Sequence, residues 1–338
     1  MSSAPATASN ALTDSFGRHI TYVRISVTDR CDLRCRYCMS DAMTFMPRDK
    51  ILSLEEIAIL SEAFVARGVR KIRLTGGEPL VRRGIDDLAH MIGRSLGHGL
   101  DELTLTTNGT LLDRHAAALF AAGMRRINVS LDSLDPDRFR YITRRGEIAP
   151  VLAGIAAAKA VGLKIKINMV ALKGFNEDEI EPMLLWCAAE GLDLTLIETM
   201  PLGEIDEDRT DRYLPLDRVR ADLESRYSLA PLAERSGGPA RYYRVGELGA
   251  KIGFITPLTN NFCDGCNRIR ITATGRLYMC LGHDDRVDLR AAIRAGGREA
   301  LDALLDQAMR LKPLRHDFRI EERDAAPTVA RHMSVTGG

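Results

Sequence analysis

The chain has 338 residues, 45% of them apolar and 28% charged, the make-up of a folded globular protein and not of a disordered or fibrous one. Its 47 Lys and Arg against 46 Asp and Glu leave a net charge of +1, so no global field attracts nucleic acid or an anionic membrane. No run approaches the roughly 20 apolar residues of a membrane span, and seven cysteines without a secretory leader point to a reducing cytoplasm and metal ligation in place of disulfides.

Residues 1–13 open with an Ala/Ser/Thr-rich stretch and read as a disordered lead-in. From residue 14 to Pro201, short β-rich segments at 20–27, 71–75, 102–106, 126–131, 164–170 and 193–198 alternate with helical patterns near 53–66, 85–95, 111–122, 149–161 and 178–190. The helices stop at Gly68, Gly123, Gly162 and Gly191, as C-terminal glycines predict. Such alternation argues for βαβ units and a parallel α/β sheet. The pattern leaves a partial barrel and a doubly wound sheet both open. In either, function gathers at the C-terminal strand ends, where Thr75-Gly-Gly-Glu-Pro79, Thr106-Thr-Asn-Gly109, Ser130-Leu-Asp132 and Glu198-Thr-Met200 fall. After Pro201 the rhythm breaks. Residues 202–324 read as a smaller C-terminal domain with strand-like pieces at 242–245, 251–255 and 268–272, and residues 325–338 as a tail ending in Gly337-Gly338.

Cys31, Cys35 and Cys38 follow the first strand at C-x3-C-x2-C spacing. Three thiolates on one short loop can take three corners of an iron–sulfur cube, leaving one iron open for chemistry. Zinc is the rival, although a structural zinc wants four closed ligands. Cys263, Cys266 and Cys280 form a second triplet, for which a zinc knuckle completed by His283 is the alternative; Cys187, in an apolar helical stretch, reads as core. Gly76 and Gly77 let a ligand approach the backbone after the second strand, with Glu78 available to an amino group. A tight turn is the plainer account of the two glycines.

Together these residues resemble the radical S-adenosylmethionine (SAM) enzymes. The resemblance implies a partial (β/α)6 TIM-type barrel with a smaller C-terminal domain carrying a second cluster. It also implies a [4Fe-4S] cluster on Cys31, Cys35 and Cys38, with SAM chelating the open iron. Tyr37 would lie beside the adenine, Gly76, Gly77 and Glu78 at the methionine moiety, with Ser130 and Met200 completing the SAM site. Arg24-Ile-Ser-Val-Thr-Asp-Arg-Cys31, Lys71-Ile-Arg-Leu-Thr-Gly-Gly-Glu-Pro-Leu80, Arg126-Ile-Asn-Val-Ser-Leu-Asp132 and Phe262-Cys-Asp-Gly-Cys-Asn-Arg-Ile-Arg270 narrow the likeness to the GTP 3′,8-cyclases of molybdenum-cofactor biosynthesis, from Gly17 to Gly338.

That likeness implies a second [4Fe-4S] cluster on Cys263, Cys266 and Cys280 that binds the purine of GTP through its open iron. The 5′-deoxyadenosyl radical would take H3′, and C3′ would attack C8, giving (8S)-3′,8-cyclo-7,8-dihydroguanosine 5′-triphosphate. Arg24, Lys71, Arg73, Thr106, Lys166, Arg268, Ile269 and Arg270 are the candidate GTP contacts, and Arg268 or Arg270 the candidates for assisting the closing reduction. Lone basic residues are mostly solvated surface, but Lys166 shares a strand face with Lys164 and Asn168, and Arg268 alternates with Arg270. Gly337 and Gly338 would enter the site as a side-chain-free tail. One departure stands out: Thr195 occupies a position where this family commonly has Arg, which leaves one triphosphate contact either missing or supplied by another residue. The implied partners are GTP and a flavodoxin-like or other reductant, in the cytoplasm, without nucleic acid or membrane; a homodimer stays open. A peptide-modifying radical SAM maturase and a non-catalytic zinc protein are the alternatives.

Overall fold

The structure, a computed structural model, describes residues 11–206, 208–234, 237–320 and 326–337. Its centre is six parallel strands, β1 (Tyr22–Ser26), β2 (Lys71–Thr75), β3 (Glu102–Thr107), β4 (Arg126–Ser130), β5 (Lys164–Ala171) and β6 (Asp193–Glu198). The connections carry α1 (Leu54–Ala66), α2 (Ile85–Gly93), α3 (Leu112–Ala121), the pair α4 (Pro136–Thr143) and α5 (Ile148–Ala160), and α6 (Ile180–Glu190). Ser53 and Glu56 close a reciprocal capping box at the start of α1, which fixes where the first crossover helix begins.

The six strands are neighbours in chain order, without a reversal. A doubly wound sheet reverses at a switch point, so this order decides for the barrel. No pairing joins β1 to β6, which leaves it open on one side.

Every central strand keeps period two, and the two faces have opposite chemistry. Val23, Ile25, Ile72, Leu74, Leu103, Leu105, Ile127, Val129, Ile165, Ile167, Leu194 and Leu196 are buried in one apolar cluster with the helices. The alternate positions carry Arg24, Arg73, Thr104, Asn128, Lys166 and Thr195, and they face inward. Ordinary (β/α)8 barrels fill the interior with branched apolar layers. A polar interior needs a polar ligand or internal partners, because unpaired burial of such groups is costly.

Beyond residue 201 no separate sheet forms among the described residues. Strands β7 (Leu229–Pro231), β8 (Arg241–Val245) and β9 (Ala250–Ile255) extend the sheet past β6. Strands β10 (Arg268–Ile271), β11 (Arg276–Tyr278) and β12 (Arg286–Asp288) extend it past β1, to twelve strands in all. The β1–β10 pairing is parallel, with Tyr22 opposite Arg268 and Arg24 opposite Arg270, which puts the second cysteine segment directly beside the barrel mouth. Helices α7 (Arg209–Arg212), α8 (Leu216–Glu224), α9 (Leu289–Ala291) and α10 (Gly297–Leu311) lie in the same half. Arg67, just after α1, holds α10 through Asp302 at 3.1 Å and through Asp306.

Both ends correct the reading of the sequence. The expected lead-in of residues 1–13 ends earlier: Leu12 is buried, donates to Arg67 O at 3.0 Å and accepts from Ile20 N at 2.8 Å. The expected tail is ordered over 326–337, where Val329 bridges Leu202 and a short α11 (Met333–Thr336) packs inward. Gly338, residues 1–10 and residues 321–325 lie outside the described residues. Among the described residues no helix is long and apolar enough to cross a membrane.

Candidate active site

Two cavities open inside the barrel mouth, each with about 1090 Å³ of free space counting the part open to solvent. The first is lined by Cys31, Cys35, Cys38, Tyr37, Gly76, Gly77, Glu78, Thr106, Ser130 and Met200. The second is lined by Cys263, Cys266, Cys280, Arg24, Lys71, Arg73, Lys166, Arg268 and Arg270. Asn168, Ile197, Met200 and Met333 border both, so the cavities are neighbours sharing one wall.

The first cysteine loop is held by backbone bonds to the end of α4. Arg34 N donates to Thr143 O and Arg36 N to Ile142 O, both at 3.0 Å, and Arg144 Nη1 donates to Arg34 O and Met39 O, both at 3.1 Å. Gly77 N and Glu78 N in turn donate to Thr28 O and Arg30 O at 2.8 Å. A Cβ on Gly76 would strike Thr28 O, and one on Gly77 would strike Arg30 O. The two glycines therefore let two loops lie side by side, as the turn reading requires, and they also line the cavity. Glu78, 1% exposed, accepts from Leu80 N at 2.9 Å, Thr107 Oγ1 at 2.7 Å and Asn108 N at 2.6 Å. Three of its roughly four lone-pair sites are taken, and burial pushes its carboxyl up to about 7.

Burial also pushes the Cys31 and Cys35 thiols far up and Cys38 to about 11. Cys31 feels Glu78 and Asp32, and Cys35 feels Asp132, all of which oppose ionisation further. Such thiols are poor nucleophiles and become thiolates only against a metal. Tyr37 OH donates to Asp132 Oδ2 at 2.7 Å, and burial raises the Asp132 carboxyl to about 6. That bond fixes the aromatic ring inside the cysteine loop.

The second triplet differs. Burial raises Cys263 and Cys280. Burial opposes the Cys266 thiolate too, but Arg268 and Lys312 prevail and bring this thiol down to about 7. Arg268 Nη2 and Lys312 Nζ each lie 3.8 Å from Cys266 Sγ, and Lys312 also donates to Met279 O at 2.7 Å. Each triplet brings three thiols, one short of a closed structural zinc set, whereas a four-iron cube gives each of three thiolates its own iron. His283 does not line the cavity; it lies 2.9 Å from Arg315 O. Both triplets thus fit a three-cysteine cluster better than a zinc centre.

The cations of the second cavity crowd one another. Burial, Arg73 and Arg126 lower the Lys166 ammonium well below its ordinary range, and burial with Arg24 and Arg268 does the same to Arg270. Burial would raise the Tyr22 phenol, yet Arg73, Arg24 and Lys71 bring it to about 7. No Asp or Glu lines this cavity among the described residues. Lys71 pairs at its rim with Glu102, 2.7 Å away, and Arg73 donates to Tyr22 OH at 2.6 Å and Thr106 Oγ1 at 2.9 Å.

Three sequence-based placements change. Thr106 lines the first cavity and reaches the second only through Arg73. Ile269 faces away from Arg268 and Arg270 into the apolar core, as strand alternation requires. Lys164 is exposed at the strand entrance while Lys166 and Asn168 line the cavity. Thr195 is fully buried and lines neither cavity. Gly337 packs on Thr75, and its carbonyl accepts from Arg270 Nη1. Asn168 lines the site on the strand face it was expected to share with Lys166, and residues not singled out from sequence also line it: Met333, Tyr22 and His316. Of these only Tyr22 had a readable signal, its place on the polar face of β1.

A radical SAM superfamily model matches residues 25–187 and a molybdenum cofactor synthesis C model residues 192–318. A GTP 3′,8-cyclase of Erythrobacter litoralis (strain HTCC2594) is 60% identical over 332 residues, 98% of this chain and 100% of its own. One from Rhizobium etli (strain CIAT 652) is 59% identical over 96% of this chain and 94% of its own. Among solved structures, Streptococcus suis SuiB bound to S-adenosylmethionine aligns with a TM-score of 0.61 over 86% of this chain and 67% of its own, at 16% identity, a likeness of fold. With relatives this similar along nearly its whole length, the chain belongs to the GTP 3′,8-cyclase family of radical SAM enzymes.

Proposed function

We propose that this chain is a GTP 3′,8-cyclase that opens molybdenum-cofactor biosynthesis, with SAM in the first cavity and GTP in the second. The observation that carries the reading is the shared wall: a cysteine triplet with a glycine-lined cavity adjoins a second triplet in a cavity lined by Arg24, Lys71, Arg73, Lys166, Arg268 and Arg270. A triphosphate would bring negative charge into this cluster of cations, where guanidinium groups can grip phosphate oxygens bidentately. When bound, the first cluster and SAM would supply the 5′-deoxyadenosyl radical chemistry by which H3′ of GTP is removed and C3′ joined to C8.

Within that chemistry the chain's own residues orient and exclude. Cys31, Cys35 and Cys38 would hold the first [4Fe-4S] cluster, and Cys263, Cys266 and Cys280 the second. Tyr37, tied to Asp132, lines the SAM cavity with Gly76, Gly77, Ser130 and Met200. Ile197, Met200 and Met333, with Asn168, form the partition between the cavities, and its apolar members would limit water there. Arg268 and Arg270 reach into the GTP cavity from β10, where they can stabilise charge as the cyclised nucleotide accepts its last electron and proton. A flavodoxin-type donor suits the one-electron demand.

Anaerobic incubation of the reconstituted protein with SAM, dithionite and GTP tests the reading. The expected result is about eight irons per chain, with 5′-deoxyadenosine and cyclised nucleotide appearing together. Cys263→Ser should lose cyclisation and keep some uncoupled SAM cleavage. Bound zinc without iron, or normal cyclisation by Cys263→Ser, would sink it.

A further inference from the structure

His316 stands in the wall of the second cavity beside the cysteine triplet. Its backbone N–H faces the Cys263 thiol. The ring stacks at 4.5 Å on Phe318 and meets Phe262 at 6.5 Å, so its orientation is set by neighbours on both sides. Phe318 N donates to Nδ1 at 3.3 Å. A nitrogen that accepts a backbone N–H carries no proton, so the ring is the neutral tautomer with its hydrogen on Nε2. That Nε2 is buried and has no partner among the described residues. A buried donor without an acceptor is costly unless something that enters the cavity completes it.

The location narrows what that something is. Lys71, Arg73 and Arg24 crowd around Tyr22, in the part of the cavity built by β1 and β2. His316 instead shares its part with Phe262, Phe318 and the cysteines, with Arg268 over the Phe262 ring at 4.9 Å, a set of flat faces on which a heterocyclic base can stack.

We propose that His316 reads the substrate base: its Nε2–H donates to the keto oxygen at C6 of the purine, selecting guanine over adenine, whose C6 carries an amino donor. The assignment rests on the reading that GTP occupies this cavity. It adds a specificity determinant separate from the cations that bind the phosphates.

The test is equilibrium binding of GTP, ITP and ATP to anaerobically reconstituted holoenzyme, wild type against His316→Phe and His316→Gln, with iron content and the visible spectrum recorded for each. His316→Phe should weaken GTP and ITP binding by about tenfold, the worth of one hydrogen bond to a buried donor site, and leave ATP unchanged. His316→Gln, which keeps an N–H donor, should recover most of the affinity. If His316→Phe sheds iron, His316→Leu decides in the same way. Unchanged GTP affinity in the donor-less variant overturns the proposal. So does a shift confined to the electron paramagnetic resonance of the second cluster, which would assign the donor to a sulfur. Failure of the wild type to bind GTP overturns the substrate reading itself, a result separable from an inert His316.

Discussion

The Lys166 ammonium lies inside the barrel, 5% exposed, with the Tyr242 hydroxyl at 3.0 Å and its ring centre at 5.5 Å. Burial, and then Arg73, Arg126 and Lys71, all disfavour its charged form. A cation held this way weakens the empty protein and acquires a purpose when an anion arrives. Lys166→Met should therefore leave the urea midpoint unchanged or higher while GTP affinity falls roughly ten- to a hundredfold, the range of a hydrogen bond to a charged group. A variant that loses stability and keeps its affinity would make Lys166 structural. At this scale the cysteine triplets were readable because their spacing is local, within 8 residues in the first case. His316 was not, because its significance comes from Phe318 fixing one nitrogen and the fold placing the other beside cysteines 36 to 53 residues away in the chain.

At the scale of elements, the six central strands were legible from alternation with helices, and their boundaries moved by only a residue or two. The helix over residues 297–311 went unread although Leu301, Leu305, Ala308 and Met309 mark its buried face at helical spacing. Pairing partners for β9 and β10 were beyond reach, since no local signal says that two late strands will flank β6 and β1. The cysteine loop depends on a similar non-local device. Arg144 is the one described non-glycine residue with positive φ, at 62°, and it ends α4 so that its guanidinium reaches Arg34 O, Met39 O and Asp206. The backbone strain, roughly 1–3 kcal/mol, is tolerated for that clamp. Arg144→Ala keeps the strain and removes the clamp, whereas Arg144→Gly removes both. The glycine variant should then be about 1 kcal/mol the more stable of the two by urea midpoint. Both should release iron from the first cluster faster than wild type under chelator challenge; equal retention in all three would show that the backbone bonds to Ile142 and Thr143 suffice.

Across the whole molecule, the segment 326–337 ties the two cavities together. Arg331 stacks over Tyr278 at 3.9 Å and donates to Leu281 O at 2.8 Å, next to Cys280. Three residues later the Ser334 N–H faces the Cys38 thiol, partly offsetting the effect of burial there. Met333 lines both cavities between these anchors. Gly337 finishes against Thr75, where a Cβ would collide with the threonine side chain, so the close approach demands glycine. A bland terminal pair of glycines in the sequence thus belongs, at least through Gly337, to a strap spanning both cysteine triplets. Arg331 is the anchor furthest from the SAM cavity, and its loss should loosen the strap while sparing both sets of cysteines. Arg331→Ala should raise amide exchange over residues 329–337 without changing iron content, and should lower cyclisation more than SAM cleavage, because a displaced Met333 opens the partition to water. Unchanged exchange in that variant would place the strap's hold on Arg270 and Thr75 instead, and the coupling between the two halves would then run through β10.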